Sequence, residues 1–176
     1  MQKIDLYRYL LLSNTMWICF FMLACTKSEI MAQGHDFAGN LVTIHDGDRI
    51  TISYHDTKTA IPVRLYGIDA PEKGQPYWQE AKDFLHNLLI GKWVKVATAT
   101  EGTEEELIGI VNLPNETMAN EELVKAGLAW VNEAIKEDLA LEKLRESERE
   151  ARQSKRGLWA DPDPTPPWVY RKTRGE

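Results

Sequence analysis

Between residues 41 and 113 the chain passes through five stretches in which apolar and polar side chains exchange at nearly every position: 41–45, 49–54, 61–66, 93–99 and 106–113. The alternation is cleanest in Ile50-Thr51-Ile52-Ser53-Tyr54 and in Trp93-Val94-Lys95-Val96. A period of two sends successive side chains to opposite faces of a strand, so five strands are predicted. Gly47 between two aspartates, the polar run 55–59 and Pro114-Asn115-Glu116 supply turn chemistry, so hairpins are expected.

The period lengthens after the third strand. Over residues 77–89, Trp78, Ala81, Phe84, Leu85, Leu88 and Leu89 fall on one face at helical spacing, with Gly91 as a stop. A shorter helix is predicted over 120–126, capped by Asn120 and ended by Gly127, and a third over 139–154 with Leu141, Leu144 and Ala151 inward and a charged outer face. The proline-rich run 161–167 cannot continue a helix and reads as an extended strap ending in Trp168. The order is α+β and suits a small barrel with flanking helices. Gly34 and Gly39 lie in a polar stretch without periodicity, so residues 25–40 read as a tether and structure is expected from about Asn40.

The first 24 residues stand apart. Lys3 and Arg8 precede an apolar run, Met16 to Ala24, shorter than a permanent membrane span needs, which reads as the charged and apolar regions of an export signal, with an uncleaved signal anchor as the alternative. Met22-Leu23-Ala24-Cys25 resembles a bacterial lipobox, with Cys25 as the lipidated residue. The expectation is an exported protein, either a cell-envelope lipoprotein held to the membrane at Cys25 or a periplasmic or secreted one. Both cysteines, Cys19 and Cys25, lie in or beside this leader, so the globular part has no internal disulfide.

Length and 43% apolar composition provide for one domain with a real core. The net charge is −6, and removal of residues 1–24, with Lys3, Arg8 and Asp5, leaves 19 basic and 26 acidic side chains and a net charge of −7. Non-specific grip on nucleic acid rests on lysine and arginine displacing counterions, so an acidic domain must hold any polyanion locally.

Two runs carry candidate chemistry. Asp46-Gly47-Asp48 places two carboxylates on a tight turn, and oxygen-only ligation suits calcium or magnesium better than zinc. Taken alone, it is equally a turn solvated by aspartates. In Arg64-Leu65-Tyr66-Gly67-Ile68-Asp69-Ala70-Pro71-Glu72, three ionisable groups crowd a strand end and the turn after it, with Pro71 stiffening the position of Glu72. Such a trio fits phosphodiester hydrolysis, with an arginine for phosphate oxygens, an aspartate for metal and a glutamate for water; the plainer alternative is an ion pair at a barrel rim. His35, His45, His55 and His86 lack paired ligand spacing and read as surface residues, and Trp93, Trp130 and Trp159 read as core.

The order of these runs, followed by a helix, GKWVKV, ELVKAGLAWV, AR-x-x-x-RGLW and a Pro-Pro-Trp tail, is similar to domains of the staphylococcal nuclease (thermonuclease) family over residues 41–171, leaving 172–176 as a tail. The resemblance implies an OB-fold of five strands closed into a barrel with three flanking helices, and a Ca2+-dependent endonuclease site acting on DNA and RNA as a monomer. It implies that Asp48 and Asp69 are metal carboxylates, that Ala70 offers its backbone carbonyl, that Glu72 handles the attacking water and Arg64 holds the phosphate, with Asp46 as a nearby supporting acid.

One departure cuts against catalysis. The family's second arginine opens the fifth strand, and the alignment places Glu106 there, amid Glu101, Glu104 and Glu105, which otherwise read as a solvated charged loop. An arginine on a phosphoryl transition state is worth roughly 10³ to 10⁵ in rate. Three expectations compete: Glu106 pairs with Arg64 and silences the site; Arg49 or another basic side chain supplies the missing charge; or the acids bind metal more tightly for another substrate. A non-catalytic OB-type binding or scaffold module of the envelope is the alternative function.

Overall fold

The computed structural model describes residues 36–55, 57–100, 102–103, 105–135 and 139–175. The leader, Cys25, His35, Glu101 and Glu104 lie outside them.

Strands β1 (Phe37–Asp46), β2 (Arg49–Ser53), β3 (Ala60–Leu65), β5 (Trp93–Thr100) and β6 (Leu107–Asn112) close a barrel in the order β1-β2-β3-β6-β5, and a two-residue pair, β4 (Ile68–Asp69) with β7 (Trp130–Val131), stands at its side. The turns at Gly47 and 55–59 join antiparallel β1–β2 and β2–β3 hairpins as expected, β5–β6 is a further antiparallel pair, and the Pro114-Asn115-Glu116 turn follows β6. Closure comes from the parallel β3–β6 and antiparallel β1–β5 pairings. Alternation does what the pattern requires: Ile50, Ile52, Ile61, Val63, Leu65, Leu107 and Val111 are all buried, with less buried residues between them.

β1 begins at Phe37, inside the segment expected to be a tether. Its first half pairs with β5 and its second with β2, and two register irregularities, at 41–43 and 44–46, separate these roles. Such irregularities bend a strand sharply enough to turn a barrel corner, which blurs the alternation that would announce it. Pro62 is tolerated in β3 because the pairing with β6 begins only at Val63, so no ladder partner lacks a donor there.

Helix α1 (Trp78–Leu89) buries Ala81, Leu85 and Leu89 against β1, with Phe84 and Leu88 partly covered. Helix α2 (Ala119–Lys125) packs on α3 (Leu139–Gln153), which buries Leu141, Leu144 and Ala151 as expected. Asn120 is not a cap. It lies within α2, fully buried, where its amide donates to Tyr66 O and accepts from Val111 N–H, tying the β3–β4 turn to β6. Beyond a 3₁₀ turn (Gly157–Ala160), residues 161–166 run without helix as expected of the strap, and at its end, where only Trp168 was expected, a fourth helix begins, α4 (Pro167–Arg174). Proline fits the first helical position, where no amide donor is needed, so Pro166-Pro167 starts a helix rather than preventing one.

Trp130 and Trp159 are buried and meet edge to face, centroids 5.5 Å apart, beside the partly covered Trp168. Trp93 departs from expectation: it is 39% exposed at the start of β5. His45, His55 and His86 are exposed.

Candidate active site

The two sequence runs meet at one end of the barrel. The β1–β2 turn carries Asp46, Gly47 and Asp48, and the β2–β3 register sets Arg49 beside Arg64. Leu65 N–H donates to Asp48 O at 2.8 Å, which locks the aspartate turn against the end of β3. Gly47 is required by close approach: a Cβ there would stand 2.7 Å from Ala81 Cβ and 2.8 Å from Ala70 Cβ. At Gly67, φ is +80°, and an added Cβ would strike Leu144 at 2.7 Å, so glycine alone turns β3 into β4 beneath α3.

Asp48 and Asp69 are 5% and 3% exposed. One nitrogen of Arg64, Nη2, lies 3.5 Å from Asp48 Oδ2 and 3.6 Å from Asp69 Oδ1, so the two carboxylates converge on a single point. Burial pushes Asp48 up to about 7; Arg64 pulls it down, Asp69 pushes it further up, and the attraction does not offset the lost hydration. Asp46 accepts a hydrogen bond from the Trp78 indole at 2.8 Å, which fixes the aspartate turn to the start of α1. Ala70 is buried beside Asp69, and Glu72, half-buried, is held through its backbone: its N–H donates to the buried Gln75 side chain at 2.7 Å.

Glu106 does not reach Arg64. It pairs with Arg49 instead, Nε to Oε1 at 3.8 Å, while Arg64 faces the two buried aspartates. Buried charges are screened least, so Arg64 is drawn to Asp48 and Asp69 rather than to the more exposed Glu106. The same pair occupies Arg49, the side chain expected to supply the missing charge. Among the described residues no group of three or more His, Cys, Asp or Glu gathers closely enough to hold a metal, so Glu106 does not enlarge the acidic site.

A residue the sequence reading missed completes the cluster. Arg171, on α4, donates from Nη1 to Asp69 Oδ1 at 3.1 Å and from Nη2 to Asp69 Oδ2 at 2.7 Å, and also bonds Glu72 Oε1. These bonds hold its guanidinium still more firmly protonated than usual, against the opposing effect of burial. Its partners lie 99 and 102 residues away in the chain; the only local signal is the basic run after Pro166-Pro167. Arg64, Asp69 and Arg171 line a cleft of about 560 Å³.

Residues 62–161 match the family of staphylococcal nuclease homologues. The chain belongs to the staphylococcal nuclease family. It is 41% identical over 136 residues to an "Uncharacterized endonuclease" of Escherichia coli O157:H7, covering 77% of this chain and 86% of the relative. It is 32% identical over 145 residues to the "Micrococcal nuclease" of Shigella flexneri (78% and 82%), and 30% identical over 165 residues to an "Uncharacterized endonuclease" of Haemophilus influenzae (94% and 86%). The closed barrel and the endonuclease relatives make this a thermonuclease-like nuclease domain, a family whose substrate is nucleic acid and whose members are generally calcium-dependent.

The donor set fits such an ion. Asp48 and Asp69 offer carboxylate oxygens around one point, Asp48 lacks full compensation there, and among the described residues no cluster with histidine or cysteine forms beside them. Few protein oxygens suit a hard cation that keeps several waters.

Proposed function

We propose that this domain is a Ca2+-assisted endonuclease hydrolysing phosphodiester bonds in single-stranded or otherwise flexible DNA or RNA. The observation that carries the reading is the convergence of two buried carboxylates on Arg64, which with Asp69 lines a cleft, while Glu72 stands on the adjoining turn and shares Arg171 with Asp69. Asp48 and Asp69, with the Ala70 carbonyl, would hold the cation, which polarises the phosphate and eases charge build-up on its oxygens. Arg64 binds the non-bridging phosphate oxygens through its fork of donors. Glu72 orients a water and accepts its proton as the water oxygen bonds to phosphorus. The bond from phosphorus to the leaving sugar oxygen breaks, that oxygen keeps the electron pair and takes a proton from solvent, and a phosphomonoester and a free hydroxyl result.

The reading is tested by incubating the mature domain with denatured DNA, with calcium and then with chelator, beside Glu72→Ala. The expected result is cleavage that needs calcium and falls at least about a hundredfold in the variant. Cleavage indifferent to both chelator and substitution overturns it. One observation favours a second reading, a non-catalytic binding module: an acid, Glu106, stands where the family has its second arginine. An inert wild-type protein would support that reading.

The leader and Met22-Leu23-Ala24-Cys25 support an exported protein anchored through lipid at Cys25 in the cell envelope. Metabolic lipid labelling that disappears in Cys25→Ser is the expected result; equal labelling overturns the anchor.

A further inference from the structure

We infer that Arg171 is the second phosphate-binding arginine of this site, delivered by the C-terminal helix in place of the one that Glu106 replaces. The inference rests on the nuclease reading and adds to it a residue from a different part of the fold.

Three observations carry it. Arg64 and Arg171 both face Asp69 Oδ1, at 3.6 and 3.1 Å, so the two guanidinium groups meet across one oxygen in one cleft. Arg171 also takes both oxygens of Asp69 at once, as a fork on a pair of oxygens, and a phosphate presents the same pair; a lysine, a single point charge, cannot reproduce that grip. Finally, α4 is fastened to the loop that carries Glu72. The buried Gln75 side chain accepts from Glu72 N–H and donates to Thr165 O at 3.0 Å, just before the helix, and Arg174 donates to Lys73 O at 3.2 Å. Arg171 is therefore placed by the same loop that places Glu72, and little side-chain freedom remains to be lost when a phosphate arrives.

The test is single-turnover cleavage of an end-labelled single-stranded oligodeoxynucleotide with calcium, read for wild type, Arg171→Ala, Arg171→Lys and Arg174→Ala, with melting temperature and oligonucleotide affinity measured alongside. Arg171→Ala should fall by about a hundredfold or more, towards the range of roughly 10³ to 10⁵ known for such arginines. Its affinity should change less than its rate, Arg171→Lys should recover little, and added guanidinium ion should restore part of the Arg171→Ala rate. Arg174→Ala, which loosens α4 on the Glu72 loop without removing a donor to Asp69 or Glu72, should fall far less than Arg171→Ala. An Arg171→Ala rate equal to wild type, or higher at low calcium, overturns the inference and makes the arginine a mere plug. A loss that guanidinium leaves in place also overturns it, because Arg171 then only holds α4. The wild-type rate reports separately on the nuclease reading: an inert wild type overturns both.

Discussion

Two buried acids in this domain are treated in opposite ways. Glu121, 3% exposed between α2 and α3, is met by Lys125 at 2.8 Å on one oxygen and Lys143 at 2.8 Å on the other, with the Ser147 hydroxyl at 3.3 Å. Burial opposes its charge, but the bonds from the two lysines outweigh burial and hold the carboxyl below its usual range. Asp48, also nearly inaccessible, lies deeper among other atoms, and that burial outweighs Arg64 at 3.5 Å, shared with Asp69, so its carboxyl rises to about 7. One acid is compensated within the fold. The other bears a burial cost that the guanidinium it shares with Asp69 does not offset.

Removing cations from each side breaks the comparison most sharply. Arg64→Gln should lower calcium-dependent cleavage by about 10³-fold or more, whereas Lys143→Met should leave it within a small factor; the measurement is initial rate on denatured DNA. Equal losses would mean that both clusters only support the fold.

Asp48→Asn sharpens it through stability. The native carboxyl binds its proton more tightly than the unfolded one, whose value is 3.8, so its stabilising contribution is whole below about pH 4 and is lost as pH rises to about 7. Asparagine carries no such penalty. In chelator the variant should therefore be more stable than wild type at pH 8, by up to about 4 kcal/mol, with the difference gone near pH 4, as read by urea melts at both pH values. Glu121→Gln should go the other way, losing roughly 1–2 kcal/mol at pH 7, because the exposed parts of both lysines regain water. The smallest effect belongs to Arg49→Ala: its pair with Glu106 is long and partly exposed, so stability should change by less than about 1 kcal/mol.

Much of this was legible in the sequence, for stated physical reasons. β2, β3, β5 and β6 alternate because one face of each fills the barrel, and α1 and α3 carry an apolar stripe because one side of each is covered. β1 was cut short because its bend disrupts alternation and Gly39 resembles a flexible link. β4 and β7 have two residues each, too few for any period, yet their pairing sets Asp69 beside Trp130. The carboxylates proposed to hold the metal, with Arg64 and Glu72, fall in two short runs because one turn and one strand end supply them. Arg171 comes from the far end of the chain, and only packing reveals it. Likewise the partner of Glu106 is decided by competition for Arg64 between buried and exposed acids, which spacing along the chain does not record.

On the proposed function, Asp48 and Asp69 together bind calcium. Thermal melting of wild type and Asp48→Asn at pH 8, in chelator and in saturating calcium, tests it most directly. Calcium at about a hundred times its dissociation constant should raise the wild-type melting temperature by roughly 5–10 °C, less at pH 5 where a proton competes, and should leave Asp48→Asn unmoved. A wild-type melting temperature indifferent to calcium at pH 8, or an equal rise in both proteins, would contradict the account.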